Sequence, residues 1–62
     1  MEAIVVQQIL KVRDSGETNM LDVNAVMEIA IREEFYELVV YLQDHKREYS
    51  HFILTGKAQE HE

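Results

Sequence analysis

Apolar residues crowd the middle of this chain. Residues 35–42 read Phe-Tyr-Glu-Leu-Val-Val-Tyr-Leu, and Glu37 is the one charged residue among them. If this segment is a helix, it is apolar on nearly every side, and such helices are surrounded by protein rather than exposed on a surface. A chain of 62 residues has little material with which to surround it. The pattern therefore predicts that a second copy of the chain, or another protein, covers part of this segment.

Upstream of this segment, the spacing of apolar residues predicts a first helix over residues 2–15. Val5, Ile9 and Val12 recur at helical intervals and form one stripe. Gly16 follows, and glycine commonly ends a helix because it adopts the left-handed conformation at little cost. The polar side chains that we expect to face away from the stripe are Gln7, Gln8, Lys11 and Asp14.

A second helix is predicted after residues 16–19, whose composition is typical of a turn. Either Asn19 or Asp22 can cap its N-terminus, and the two together have the spacing of a capping box. The apolar residues that share one face of this helix are Val23, Val26, Met27 and Ala30.

The boundary between the second helix and the apolar segment is open, because residues 32–34 contain no helix-breaking residue. The helical spacing continues through them, so the pattern fits a single helix over residues 22–44 as well as two helices that meet near Glu34. A strand over residues 35–42 is a third alternative, since valine and tyrosine favour strands. We disfavour the strand because the chain offers no second strand to pair with it.

A last helix is predicted over residues 45–55. Asp44 is positioned to cap its N-terminus, and Gly56 follows its last turn. The residues on its expected buried face are Tyr49, Phe52 and Ile53. Residues 57–62 are polar and are expected to form a flexible tail, which leaves residues 1–56 as one helical domain.

These elements predict an all-α fold, a small bundle of three to four short helices completed by homodimerisation. A domain this small is usually supported by disulfides, a metal or association with a second chain, and the sequence contains no cysteine. Association is therefore the favoured support. The predicted core comprises Ile9, Val12, Val26, Ala30, Leu38, Val39, Leu42, Phe52 and Ile53.

The charge balance limits the partners. Twelve acidic residues against six basic ones give a formal charge of −6, which phosphate backbones and anionic lipids repel. This argues against nucleic acid and membrane surfaces, and leaves a basic protein surface as the expected partner. Residues 1–4 lack the basic start of a signal peptide, and no apolar run approaches the ~18 residues that span a bilayer. We therefore expect a cytoplasmic protein.

Glu48 and His51 form a Glu-x-x-His pair, the spacing that metal ligands have in di-iron four-helix proteins. Asp44 and His45 lie one turn away. Such a site also needs inward-pointing glutamates on other helices, whereas the remaining acids are on faces that we expect to be solvated. A surface ion-pair cluster with the neighbouring basic residues is the favoured interpretation. We expect no metal, no cofactor and no enzymatic activity.

A group of carboxylates lies beside the apolar segment, where tyrosine and valine form a second apolar face. Tyrosine suits an interface because its ring can be buried while its hydroxyl stays hydrated or paired. Carboxylates next to such a face can contact arginine or lysine on a partner. The predicted partner-binding residues are Glu33, Glu34, Tyr36, Glu37, Val40 and Tyr41.

Residues 22–44 can also be compared with a helix-turn-helix motif. Ala30 lies where that motif has a small residue, but Glu34 stands where it has glycine. The recognition helix of such a motif would be residues 35–44, which contain no arginine, lysine or asparagine. Gln43 alone could read a base edge. A dimeric helix-turn-helix-like DNA-binding regulator is therefore the less favoured alternative to a protein-binding function.

Three sequence blocks, residues 18–26, residues 35–41 and Tyr49 with residues 52–56, give the chain a family resemblance. The chain resembles an uncharacterised family of proteins of this length from Firmicutes and from their phages and prophages. Members of the family often have glycine before the Phe-Tyr-Glu-Leu block, where this chain has Glu34. The resemblance carries no catalytic residues. It implies a small accessory protein, phage-encoded, that acts in the bacterial cytoplasm. In that setting, the apolar face beside the carboxylates leads us to expect a protein-binding module that modulates or inhibits a host protein such as a defence factor.

Overall fold

Four helices make up the computed structural model, which describes residues 1–56. They are α1 (Ala3–Ser15), α2 (Val23–Arg32), α3 (Tyr36–Asp44) and α4 (Lys46–Thr55). Because no strand occurs in residues 1–56, the all-α prediction is confirmed and the strand alternative is wrong. The predicted tail over residues 57–62 lies outside the described residues.

The two glycines end helices as the sequence predicts. Gly16 follows α1 with φ +66°, and its N–H donates to the carbonyl of Arg13 at 3.1 Å. Gly56 follows α4 with φ +73°, and its N–H donates to the carbonyl of Phe52 at 2.7 Å. Both values of φ lie in the left-handed region, which glycine enters without a steric penalty.

The connection between α1 and α2 shows which of two residues caps α2. The Asp22 side chain accepts a hydrogen bond from the Ala25 amide at 3.2 Å, so Asp22 is the N-cap. The Asn19 side chain accepts instead from the Leu21 amide at 2.9 Å, which closes a local turn. The two residues share the start of α2, but they do not form a capping box.

A sharp break separates α2 from α3, so of the two helical alternatives the single helix over residues 22–44 is wrong and two helices that meet near Glu34 are observed. Glu34 has φ +63°, the left-handed conformation that side chains with a Cβ avoid. Its N–H donates to the carbonyl of Ile31 at 3.1 Å, and the N–H of Phe35 donates to the carbonyl of Ala30 at 2.8 Å. This pair of bonds is the Schellman arrangement, which satisfies the last carbonyls of a helix. Glu34 thus adopts the conformation of the glycine that the family resemblance places at this position.

The junction between α3 and α4 is a single residue, His45. Its N–H donates to the carbonyl of Tyr41 at 2.9 Å, and its own carbonyl accepts from the N–H of Tyr49 at 2.9 Å. Asp44 is the last residue of α3, and His45 occupies the N-cap position of α4 without a side-chain capping bond. The prediction that Asp44 caps α4 is therefore wrong, because Asp44 still belongs to α3 and α4 begins only after His45.

The core lies around α3, which contacts each of the other three helices. Its buried apolar residues are Val5, Ile9, Val12, Val26, Ile29, Ala30, Leu38, Leu42 and Tyr49. Six of the nine predicted core residues are among them, whereas Val39, Phe52 and Ile53 are only partly buried and pack against its edge. On α4, Tyr49 is the residue that reaches the centre, and Phe52 and Ile53 lie one turn further along the helix. Val39 follows the buried Leu38 on α3 and is turned about 100° away from it.

Tyr49 anchors α4 to the rest of the molecule. Its side chain is fully buried, and its hydroxyl donates to the carbonyl of Met20 in the α1–α2 connection at 2.6 Å. Burial raises the pKa of Tyr49 to about 12, so the hydroxyl keeps its proton and remains a donor at physiological pH. One side chain therefore links α4 to a connection that precedes it by 29 residues.

The left-handed turn gives a direct test of the break between α2 and α3. Glu34→Gly should stabilise the fold by about 1 kcal/mol, because a left-handed residue with a Cβ costs about 1–2 kcal/mol and glycine's greater freedom in the unfolded chain offsets roughly half of that. Denaturant unfolding followed by circular dichroism measures the change.

Two control variants isolate the backbone effect. Glu34→Ala keeps the Cβ and should change stability by less than about 0.5 kcal/mol. Glu33 has φ −87°, in the right-handed range, so Glu33→Gly should destabilise by about 0.5–1 kcal/mol. If Glu34→Ala stabilised the protein as much as Glu34→Gly, the gain would come from removing the charge and the backbone explanation would be wrong.

Candidate partner-binding groove

A groove of about 1050 Å³ lies between the N-terminal end of α1 and the outer side of α3, and the first turn of α4 also contributes to its lining. We call it the acidic groove. Its apolar lining comprises Met1, Val5, Tyr36, Val40 and Tyr41, and its polar lining comprises Glu2, Glu37, Asp44, His45 and Glu48.

The exposed apolar side chains of the groove follow from the two faces of α3. Leu38 and Leu42, one turn apart, are fully buried against the core. Tyr36 and Val40 each lie two residues earlier, which is about 200° around the helix, so they point away from that core. Their exposed fractions are 56% and 60%. The chain therefore covers only one side of the segment that the sequence shows to be apolar all round.

Carboxylates surround the exposed side chains of Tyr36 and Val40, which we call the apolar strip, on several sides. Glu37 and Asp44 lie at the two ends of α3, Glu2 lies across the groove at the start of α1, and Glu48 lies in the first turn of α4. None of the described residues that line the groove is lysine or arginine. The groove thus combines an exposed apolar strip with a negative rim, a combination that attracts positive side chains.

Gln8 joins α1 to the start of α3 beside the groove. The side chain is 7% exposed. Its Nε2 donates to Oε1 of Glu37 at 2.8 Å, and its Oε1 accepts from the backbone N–H of Leu38 at 2.9 Å. The prediction that Gln8 faces solvent is therefore wrong. The sequence held the signal, because Gln8 lies three residues after Val5 and four before Val12, on the side of α1 that forms the stripe.

The bridge formed by Gln8 has two consequences for α3. The N–H of Leu38 is one of the first-turn donors that a helix leaves without an internal acceptor, and Gln8 satisfies it from another helix. The side-chain amide of Gln8, together with the backbone N–H of Glu37, also lowers the pKa of the Glu37 carboxyl, while a slight loss of hydration opposes the shift. Glu37 is therefore held in place and ionised at the edge of the groove.

His45 lines the groove at the junction of α3 and α4. Its ring stacks on Tyr41 with 4.9 Å between centroids, and its Nδ1 lies 3.8 Å from Oε1 of Glu48. Burial, and secondarily the charge of Glu48, raise the pKa of Tyr41, so its hydroxyl stays neutral. The Glu48–His51 spacing does not assemble into a cluster: among residues 1–56, no three His, Asp or Glu side chains lie close enough to hold a metal ion.

The predicted partner-binding residues divide into two sets. Tyr36, Glu37, Val40 and Tyr41 all line the acidic groove. Glu33 and Glu34 do not, and each has another setting in the structure.

Glu33 lines a smaller hollow of about 300 Å³ on another side of the molecule, where its carboxylate accepts from Nε of Arg32 at 3.0 Å. Arg32 also donates from both terminal nitrogens to Glu17, at 2.8 and 2.7 Å. Glu34 forms the left-handed turn. The acids of residues 33–37 are therefore not one continuous face, because the turn directs them apart.

Sequence reasoning missed the groove residues that lie outside α3, and it also missed Asp44 at the end of α3. The residues outside α3 are Met1, Glu2, Val5, His45 and Glu48. Glu2 and Val5 reach the groove only because α1 packs along α3, which local patterns do not reveal. Asp44 could have been found, since it lies seven residues after Glu37 and therefore on the same side of a helix.

The chain matches a known protein family. A protein-family model described as a domain of unknown function (DUF5049) matches residues 1–57. No curated protein and no solved structure matches the chain. Within the part of the chain that the structure describes, no helix is both long and apolar enough to cross a membrane.

The Gln8 bridge gives the second prediction. Gln8→Leu should destabilise the fold by about 1–3 kcal/mol, because the buried N–H of Leu38 would lose its acceptor. Gln7 is exposed, so Gln7→Leu is a matched control that should change stability by less than about 0.5 kcal/mol. Equal effects of the two substitutions in denaturant unfolding would show that the bridge does not support the fold.

The stability lost on the Gln8→Leu substitution should depend on pH. The pKa of Glu37 is lowered in the folded state, so its stabilising contribution is present above the pKa of the unfolded chain and is lost as the pH falls through the folded pKa. The stability difference between the wild type and Gln8→Leu should therefore be largest near neutral pH and should narrow in acid. A difference that stayed constant with pH would exclude a role for the Glu37 charge.

Proposed function

We propose that the chain, which belongs to the DUF5049 family, is a protein-interaction module. It acts by binding another protein through the acidic groove, and it catalyses no reaction. One observation carries the proposal: Tyr36 and Val40 are more than half exposed between the carboxylates of the groove. Exposed aromatic and aliphatic side chains that lie together in a concave surface are typical of binding sites.

Charge indicates the kind of partner. The chain has a formal charge of −6, and the groove concentrates four carboxylates around its apolar strip. Contacts with phosphate require lysine and arginine, so this surface does not suit a nucleic-acid backbone. A protein surface with basic side chains around an apolar centre suits it, because opposite charges steer the encounter and the apolar contacts supply affinity.

The proposed setting is a bacterial cytoplasm. The resemblance of the three sequence blocks to small proteins of Firmicutes and their phages supports a phage-encoded or prophage-encoded accessory protein. In that setting, a module of this size would act by occupying a surface of a host protein, such as a defence factor, and so modulate or inhibit it. The absence of a predicted catalytic constellation in the sequence is consistent with action by occupancy alone.

A second candidate is a dimeric helix-turn-helix-like DNA-binding regulator, and the α2–α3 connection favours it. Three residues join the two helices, Ala30 is fully buried, and Glu34 has the left-handed conformation that the motif usually gives to glycine. The charge of α3 opposes it. Residues 36–44 include Glu37 and Asp44 but no lysine or arginine. A recognition helix at this position would therefore be negatively charged and would be repelled by the DNA phosphates.

We also propose that the chain forms a homodimer through a surface outside the groove. Large apolar side chains remain exposed elsewhere, including Ile31 at 53% and Leu54 at 70%. The groove itself suits a second copy poorly, because its carboxylates would meet like charges.

Sedimentation analysis at micromolar concentration should give twice the 7.3-kDa chain mass. A mass of one chain across that range would contradict the dimer.

Affinity capture tests the interaction function. The full chain, immobilised and exposed to lysate of its source bacterium, should retain one protein reproducibly, and Tyr36→Glu with Val40→Glu should lose it because two charges would enter the apolar strip. Leu21→Glu is the matched control, since Leu21 is an exposed apolar residue away from the groove lining and its substitution should leave capture unchanged.

The outcomes separate the two candidate functions. Retention of the same protein by the double variant would contradict binding through the groove. A nuclease-treated lysate distinguishes the DNA-binding alternative: capture that survives the treatment supports a protein partner. Loss of all capture after nuclease treatment would favour the regulator instead.

A further inference from the structure

The side of α3 that faces the acidic groove carries a regular pattern of charge and apolarity. Glu37, Val40, Tyr41 and Asp44 occupy positions i, i+3, i+4 and i+7 of one helix. Residues at this spacing lie on the same side of a helix. The two carboxylates are two turns apart, about 10 Å along the axis, and the two apolar side chains lie between them.

Residues from the other helices strengthen this pattern at both ends. Glu37 is fixed by the 2.8 Å bond from Gln8, so the negative charge at this end has a defined position. Glu48 lies beside the other end, near Asp44, and Glu2 faces the strip from α1. The groove therefore has negative charge at each end and an apolar centre.

We propose that the groove binds an amphipathic helix of the partner protein, one with lysine or arginine at positions i and i+7 and apolar residues at i+3 and i+4. The proposal rests on the proposed function and names the partner's binding element. The pattern of α3 is the same in both directions, acidic at each end and apolar between, so the partner helix can lie parallel or antiparallel to α3. Helix-in-groove binding of this type uses apolar anchors at the same intervals.

An extended peptide fits this pattern less well than a helix does. A strand covers about 10 Å in three residues, and residues three apart point to opposite faces of a strand. Such a segment cannot direct both basic side chains and the apolar residues between them to one side. In a helix, residues seven apart point in almost the same direction, so all four side chains meet the groove together.

A second copy of this chain is also a poor occupant. If another α3 lay antiparallel in the groove, its Asp44 would face Glu37 and its Glu37 would face Asp44, so each end would bring two carboxylates together. A parallel arrangement would pair each carboxylate with its own counterpart. Basic side chains on the partner are required in either case.

Three synthetic helical peptides of about 18 residues test the proposal, since alanine-rich peptides of this length form helices in water. The first has lysine at i and i+7 with leucine at i+3 and i+4. The second has glutamate in place of both lysines. The third keeps the composition but moves the second lysine to i+9, which lies on the opposite side of the helix.

Isothermal titration calorimetry and amide chemical shifts should show that the full chain binds the first peptide at least tenfold more tightly than the other two. The shifts should concentrate at Tyr36, Val40 and Tyr41, and raising the salt should weaken binding severalfold because it screens the end charges. Asp44→Lys should weaken binding of the first peptide at least tenfold. Glu28→Lys makes the same charge change at an exposed position of α2 outside the groove lining and should leave the tenfold preference intact.

Equal affinity for the first and third peptides would overturn the proposal, as would no detectable binding of the first peptide at millimolar concentration. Shifts centred outside the groove, or self-association on adding the first peptide, would overturn it as well. These failures are separable from failure of the proposed function. If affinity capture depends on Tyr36 and Val40 while the peptides do not discriminate, the groove binds a protein, but not through this helical pattern.

Discussion

The side-chain amide of Gln8 joins α1 to α3, and the arrangement of the groove depends on it. One amide satisfies the N–H of Leu38 and holds the carboxylate of Glu37, so the position of α3 relative to α1 is specified by directional bonds as well as by apolar packing. Apolar contacts alone tolerate small shifts between helices, whereas two hydrogen bonds from one buried side chain do not. The α1 side of the groove is therefore fixed where the first turn of α3 begins.

The left-handed turn at Glu34 provides the other constraint. It separates α2 from α3 and allows α3 to contact all three remaining helices while one of its sides stays exposed. A continuous rod would have kept Tyr36 and Val40 in line with the surface of α2. The cost of placing a residue with a Cβ in this conformation is of the kind that proteins accept where the local geometry serves packing or function. In this protein, the left-handed turn places the apolar segment along one side of the acidic groove.

Periodicity and helix-end chemistry predicted most of the fold. The predicted bounds of α1 and α4 differ from the observed ones by one residue at the N-terminus, because Gly16 and Gly56 fix the other end. The break at Glu34 could not be decided from local sequence, since its conformation is imposed by the packing of α3. Four of the five α3 residues that line the groove were predicted, because they lie close together on one element, and Asp44 was missed. Glu2 joined the site only through contacts between distant segments.

Hydrogen exchange at the Leu38 amide tests the central claim most directly. In an isolated helix this first-turn amide has no internal acceptor and exchanges rapidly. If Gln8 caps α3 from α1, the Leu38 amide should be protected to the same degree as core amides of α2, such as that of Ala30, and should exchange far more slowly than the amide of Tyr36 at the start of the same helix. Equal, rapid exchange at Leu38 and Tyr36 would contradict the bridge between α1 and α3, and with it the fixed groove.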